Sequence, residues 1–298
     1  MGIVFLRSQE IGHDCLKEIL KQKIEIDAVF TFKPDINEHW EKSVDSIAKE
    51  ESISLYHDEE FTIKKIEELK PELIIVAGFR KIIPKDILKI PKRGIVALHA
   101  SLLPDLKGQA PLNWAILLDR KKTGITMFFM DEGIDTGEII DQEEFEISVN
   151  DTIRDLKNKA RSCAVELLSK NLKAVLTGES NRVKQISNGT YGCARIPDDG
   201  KIDWSKSSRQ IYNLIRSSEE PYLAFCMLNQ EKIFISKAEM IDEKRHFFGT
   251  PGQIGLTFKD QSAYVITGDG VLKILKIRKD GTEFNAKEYF KTSKIRLR

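Results

Sequence analysis

One histidine and one aspartate follow apolar runs that read as buried strands, and they are the chain's strongest candidates for proton chemistry. Ile95-Val96-Ala97-Leu98 ends in His99, and Ile125 to Met130 ends in Asp131 and the turn Gly133-Ile134-Asp135-Thr136-Gly137. A carboxylate that orients an imidazole lets the ring carry a proton between an attacking and a leaving group. The pattern places both groups at the carboxyl edge of one sheet, where open parallel sheets bind ligands. Ser101 raises a Ser-His-Asp reading, but it sits on no GxSxG elbow, and Pro104 and Gly108 give its surroundings the character of a turn. Each candidate also has a structural reading: His99 as a buried, hydrogen-bonded ring, and Asp135 as a turn-forming residue between glycines.

The elements that must position these residues alternate. Short apolar runs at Gly2 to Leu6, Ile26 to Phe32, Ile53 to Tyr56 and Leu73 to Ala77 read as strands. Helical spacing separates them at Glu10 to Lys21, Glu38 to Glu50 and Phe61 to Leu69. This predicts an α/β fold, a Rossmann-like, doubly wound and mostly parallel sheet. No GxGxxG follows the first strand and no P-loop occurs, which argues against a dinucleotide dehydrogenase or an NTPase. Thr152 with Asp155 suggests a capping box opening a helix that runs to about Leu176 and stops at Thr177-Gly178. Residues 179 to 201 are irregular, so the expected division is 1–185, a catalytic domain, and 186–298, a smaller β-rich domain. There, short β-prone runs and the Gly268-Asp269-Gly270 turn suggest a small OB-like barrel.

The 298 residues are 41% hydrophobic and 31% charged, ordinary for a globular protein. No apolar run approaches a membrane span, and the N-terminus does not read as a signal peptide. Forty-seven basic against 46 acidic residues give a formal charge of +1, with no global attraction to nucleic acid. Cys15, Cys163, Cys193 and Cys226 are scattered without metal-ligand spacing, so no metal is expected and a reducing cytoplasm fits.

Four ordered blocks then narrow the chemistry: His99-Ala100-Ser101-Leu102-Leu103-Pro104; Lys107-Gly108-x-Ala110-Pro111; Thr123-Gly124-Ile125-Thr126; and Met130-Asp131-x-Gly133-x-Asp135-Thr136-Gly137. Together they resemble the folate-dependent formyltransferase family, which moves a formyl group from N10-formyltetrahydrofolate to an amine. Phe79 to Pro84 is similar to that family's folate-binding loop, and Ile202-Asp203-Trp204 with Gly268 to Gly270 resembles its C-terminal domain. The resemblance implies that His99 is the general acid/base and that Asp135 tunes it. It implies that Lys81, Ile82 and Ile83 line the folate pocket, with Asp131, Glu132, Gly133, Ile134 and Asp135 as the other wall. Ser101, Gln109, Asn113 and Trp204 are the candidates for touching the acceptor. The family usually carries Asn two residues before the His, to donate to the oxyanion; here that position is Ala97. Loss of one such donor costs about 100- to 1,000-fold in rate.

Two acceptors follow from the resemblance: methionine on initiator tRNA, or an amino sugar attached to a nucleotide. The tRNA enzymes carry a basic loop after strand two, whereas Lys33-Pro34-Asp35-Ile36-Asn37-Glu38-His39-Trp40-Glu41 has three acidic residues and one Lys. Pro111-Leu112-Asn113-Trp114 and Arg195 to Gly200 resemble the sugar enzymes, although those usually have Arg at the position of Gln109 and Pro-Gly-Ala at that of Tyr222-Leu223-Ala224. Trp204 or Tyr222 would serve as a stacking face for a base, with core packing the competing role. The expectation is therefore a nucleotide-linked amino-sugar N-formyltransferase of lipopolysaccharide or other surface-glycan precursor synthesis. Methionyl-tRNA formyltransferase is the alternative, and a catalytically impaired folate or nucleotide-sugar binding relative is a second. The expected partners are small molecules, with neither membrane nor nucleic acid, and a homodimer is an open possibility.

Overall fold

The structure, a computed structural model, describes residues 2–33, 43–186, 188–220, 222–241, 247–257 and 261–298. The acidic loop after strand two lies, from residue 34 onward, outside the described residues. The elements run in the order β1 (Ile3–Arg7), α1 (Gln9–Lys21), β2 (Ala28–Thr31), α2 (Asp45–Glu50), β3 (Ser54–His57), α3 (Ile63–Leu69), β4 (Leu73–Ala77) and α4 (Lys85–Leu88). They continue with β5 (Ile95–His99), β6 (Lys107–Gly108), α5 (Pro111–Leu117), β7 (Lys122–Phe129), β8 (Ile139–Glu146), α6 (Ile153–Thr177) and β9 (Tyr191–Gly192). The C-terminal part holds α7 (Ser208–Arg216), β10 (Phe225–Leu228), β11 (Glu231–Glu239), β12 (Ile254–Thr257), β13 (Ala263–Ile266), β14 (Val271–Lys279), β15 (Thr282–Asn285) and α8 (Ala286–Tyr289).

Seven strands form one sheet in the order β3-β2-β1-β4-β5-β7-β8. The first five are mutually parallel, and β1 and β4 are buried along their whole length. Helices on both faces account for that burial and for the unbroken apolar runs. One face of the sheet presents Val4, Leu6, Phe30, Val76 and Ala97 to a core that also takes in Ile66, Ile83, Leu103 and Phe128.

Strand β7 corrects one sequence expectation. It runs antiparallel to β5, pairing Val96 with Phe129 and His99 with Thr126. The carboxyl end of β7 therefore lies beside the start of β5, three residues or roughly 10 Å from His99. The His and the Asp do not follow strand ends at one edge. An apolar run of six residues carries no signal of strand direction, which is why the sequence misplaces it.

The chain divides into two compact units that interleave: Met1–Pro111, Lys122–Glu146 and Lys157–Gly192 in the first, and Leu112–Lys121, Ile147–Leu156 and Cys193–Arg298 in the second. In the second unit β14 is the hub of an antiparallel sheet. It pairs with β11 along one edge and with β13 and then β15 along the other. Register shifts between Ile235 and Ala238 bend the pairing, giving the barrel-like β-rich unit expected from the spacing of its strands. Its core gathers Trp204, Ile211, Ile215, Ile235, Ile274 and Phe290. Arg216, at the end of α7 and 5% exposed, bonds the side chain of Asn213 and the carbonyls of Ser148 and Asp151, which binds the inserted segment 147–156 into this unit.

Candidate active site

His99 closes β5 with its side chain 11% exposed. Its Nε2 lies 2.8 Å from the carbonyl of Leu106, so that nitrogen donates, and its Nδ1 lies 3.5 Å from Oδ2 of Asp135. Both ring nitrogens thus face oxygen acceptors: a neutral ring serves one of them, and a ring carrying two protons serves both. Asp135 Oδ2 also accepts from the amide of Gly108 at 2.7 Å, which fixes the carboxylate.

Two turns deliver these acceptors. After His99 the chain folds around the buried hydroxyl of Thr126, which donates to the carbonyl of Ser101 at 2.7 Å and accepts from the amide of Leu103 at 3.0 Å and from Gln142 Nε2 at 2.8 Å. All three bonding positions of the hydroxyl are in use. Ser101 is buried, and its Oγ donates to the carbonyl of Asp105 at 2.6 Å; it shapes the turn. The second turn, 131–137, leaves β7 at the far end of β5 and doubles back, so that its Asp135 reaches His99. Asp131 holds this turn from within, accepting on Oδ1 from the amide of Gly133 at 3.0 Å and from Thr136 Oγ1 at 2.6 Å. Gly137 has no alternative: a Cβ there would stand 1.7 Å from the carbonyl oxygen of Phe129. The two residues whose oxygens face the ring, Leu106 (φ 54°) and Asp135 (φ 53°), are both left-handed. For a non-glycine residue that conformation costs about 1–2 kcal/mol.

Ala97 lies two residues before His99 on the same face of β5, 7% exposed and within the apolar cluster. Around the expected folate wall, Lys81 Nζ contacts both the carbonyl and Oδ2 of Asp58 at 2.7 Å. Ile83 is buried in the core, whereas Ile82 is 89% and Ile134 61% exposed. Lys85 Nζ meets Glu132 Oε2 at 2.8 Å, which brings the segment after Ile83 against the 131–137 turn. The ammonium holds Glu132 below the usual carboxylate range. Gln109 is exposed, and its amide donates to the carbonyl of Gly192.

Two candidates belong to the second unit. Asn113 spends its amide on the carbonyl of Ser217, at 2.8 Å. Trp204 is 4% exposed, in that unit's core, and offers no open ring face. Tyr222 is 39% exposed. The sequence gives no sign of Leu106, which faces the His99 ring, of Gln185, which bonds the Asp135 carbonyl, or of Gln142 and Thr190, which hold the adjoining turns. The bonds of Gln142, Gln185 and Thr190 reach partners 16, 50 and 84 residues away. Among the described residues no group of His, Cys, Asp or Glu side chains is arranged to hold a metal, and no helix is long and apolar enough to cross a membrane.

Comparison with known proteins identifies the architecture. Residues 2–172 match the formyl transferase model, and residues 196–294 match the model of the formyl transferase C-terminal domain. The methionyl-tRNA formyltransferase of Thermodesulfovibrio yellowstonii is 33% identical over 99% of this chain and 96% of its own length. Among solved structures, an N-formyltransferase from Helicobacter canadensis in complex with folinic acid and dTDP-3-aminofucose aligns with a TM-score of 0.73. It is 26% identical, over 91% of this chain and 97% of that one. WlaRD, a sugar 3N-formyl transferase in the presence of dTDP and 5-N-formyl-THF, aligns at 0.71 and 26% identity, over 92% and 96%.

Proposed function

The chain belongs to the formyl transferase family, enzymes of formyl-group transfer, and on that premise we propose that it formylates the amine of a nucleotide-linked amino sugar. The donor is N10-formyltetrahydrofolate, and residues 1–185 carry the catalysis. The observation that carries the choice of acceptor is the full-length similarity to the Helicobacter canadensis enzyme bound to folinic acid and dTDP-3-aminofucose. The acidic character of residues 33–41 supports it, because a phosphate backbone would be repelled there.

In this reading the donor's pteridine meets the exposed Ile82 and Ile134, whose side chains gain from burial against a flat ring. The neutral sugar amine attacks the formyl carbon, and a C–N bond forms as the carbonyl electrons move to oxygen. With the ring's own proton on Nδ1 toward Asp135, Nε2 leaves the Leu106 carbonyl, takes the proton the amine must lose and returns it to N10 as the bond from carbon to N10 breaks. Asp135 orients the ring and balances its charge while the proton is held. No side-chain donor stands at Ala97 to meet the oxyanion, so a backbone amide or water fills that role, and turnover is slow for the family. The enzyme acts in the cytoplasm on a precursor of a surface glycan.

The sequence similarity to methionyl-tRNA formyltransferases favours a second reading, in which the acceptor is methionine on initiator tRNA. Ala97 favours a third, a relative that binds and does not turn over. One assay separates them. Purified protein with N10-formyltetrahydrofolate is offered dTDP-linked 3-amino and 4-amino sugars, UDP-linked 4-amino sugars and initiator methionyl-tRNA, and products are read by mass spectrometry. A formylated sugar is the expected result. Formylated methionyl-tRNA alone overturns the proposal, and tight binding without product establishes the third reading.

A further inference from the structure

The chain that returns from α6, residues 183–186 and 188–192, reads in sequence as linker, yet it touches both turns that face the His99 ring. The amide and carbonyl of Val183 pair with those of Ile139 at 2.9 and 2.8 Å, which anchors the start of the segment beside β8. Gln185 Nε2 then donates to two carbonyls, of Asp135 and of Gly137, each at 2.9 Å. Two carbonyl acceptors on one atom settle which end of this amide faces the turn. Its Oε1 is buried with no partner, so the side chain is held in place by those two donations. Further on, Thr190 Oγ1 accepts from the amide of Leu106 at 2.8 Å and bonds Asp105 Oδ1. The backbone of Thr190 pairs with Pro104 and Lys107, and Gly192 pairs with Gly108 and Gln109. Gly189 permits this approach, since a Cβ there would lie 1.8 Å from the carbonyl oxygen of Pro104.

The two contacts share a logic. Leu106 and Asp135 are the residues whose oxygens face the two ring nitrogens, and both are left-handed. A non-glycine residue stays in that conformation only where its surroundings over-determine it. Thr190 seizes the amide of the first, and Gln185 seizes the carbonyl of the second.

We propose that residues 183–186 and 188–192 brace the His99–Asp135 pair, with Gln185 and Thr190 as positioning residues for formyl transfer. This rests on the proposed role of that pair. Gln185→Leu frees the Asp135 carbonyl, Gln185→Glu keeps the shape and removes both donors, Thr190→Val removes the hydroxyl, and Thr190→Ser retains it.

The test reads the ring directly. The full chain is labelled with 15N-histidine, and His99 is assigned by its loss in His99→Asn. The expected result is that Gln185→Leu, Gln185→Glu and Thr190→Val shift the His99 ring nitrogens and leave those of His13 in place, while Thr190→Ser matches the parent. Unmoved His99 signals in folded Gln185→Glu and Thr190→Val protein overturn the inference. In transfer assays with a dTDP-linked 3-amino sugar, Gln185→Leu should lower kcat about 10- to 100-fold, the scale of a misplacement near 1 Å. Placed on Asp135→Asn it should cost little more; losses that multiply in full overturn the coupling. If no amino sugar is formylated, the proposed acceptor fails, and the ring-nitrogen measurement still decides the brace.

Discussion

The turns that grip His99 and the rim formed by Ile82, Ile134 and the Lys85–Glu132 pair are built on opposite plans. In the grip, Thr126 uses every bond it can make, Gly108 and Leu106 meet the carboxylate and the ring, and His99 and Asp135 are 11% and 18% exposed. On the rim, two isoleucines stand 89% and 61% in solvent beside an ion pair with both partners more than half exposed. The difference teaches where specificity and chemistry separate. Proton transfer needs groups fixed before the substrate arrives, because reorganisation at the moment of reaction costs rate. Ligand binding gains most where apolar surface is still wet.

That contrast breaks first if the grip is expendable. His99→Asn should lower kcat about 10²- to 10⁴-fold, the usual weight of a general acid/base, with the melting temperature nearly unchanged. Steady-state kinetics and thermal melts check both. Ala97→Asn places a side-chain donor on the face of His99. It should raise kcat roughly tenfold or more, while overpacking the cluster of Val76, Leu103 and Phe128 lowers stability by about 1–3 kcal/mol. A kcat at or below that of the parent would mean that the oxyanion is already met.

Changes on the rim should act on binding alone. Ile134→Ser or Ile82→Ser should each raise KM for the formyl donor about tenfold and leave kcat intact, from the loss of apolar area the donor would cover. A fall in kcat would show that the rim also aligns the reaction. Glu132→Gln should change that KM less than about threefold, with the difference vanishing at high salt, because an exposed ion pair is screened. Titrating KM against ionic strength is the measurement.

Much of this was legible in the sequence for a physical reason. Buried strands and amphipathic helices announce themselves by composition and period, which suffices for β1 to β5 and for the β-rich second unit. His99 stands out because it ends an apolar run and Asp135 because it sits in the glycine turn after another, and the structure brings their side chains together. The direction of β7 was not legible, since burial on both faces looks the same from either end. Asn113 and Trp204 show how little residue type says about surroundings. The first bonds the carbonyl of Ser217 and the second lies in the second unit's core, neither of which their types announce. Gln185 and Thr190 gave no signal at all: their partners are 48 to 50 and 84 to 85 residues away.

The reversed strand has one more consequence. Because β7 ends about 10 Å short of His99, the turn 131–137 must travel that distance before it can present Asp135, and so its residue count works as a ruler. Substitutions at Glu132 or Ile134 alter what the turn displays. Removing two residues between Asp131 and Asp135 would instead draw the carboxylate back toward Val96 with every strand still paired. Such a chain would keep its fold and lose the contact between His99 and Asp135, so the turn's length is under a tighter constraint than the side chains at Glu132 and Ile134.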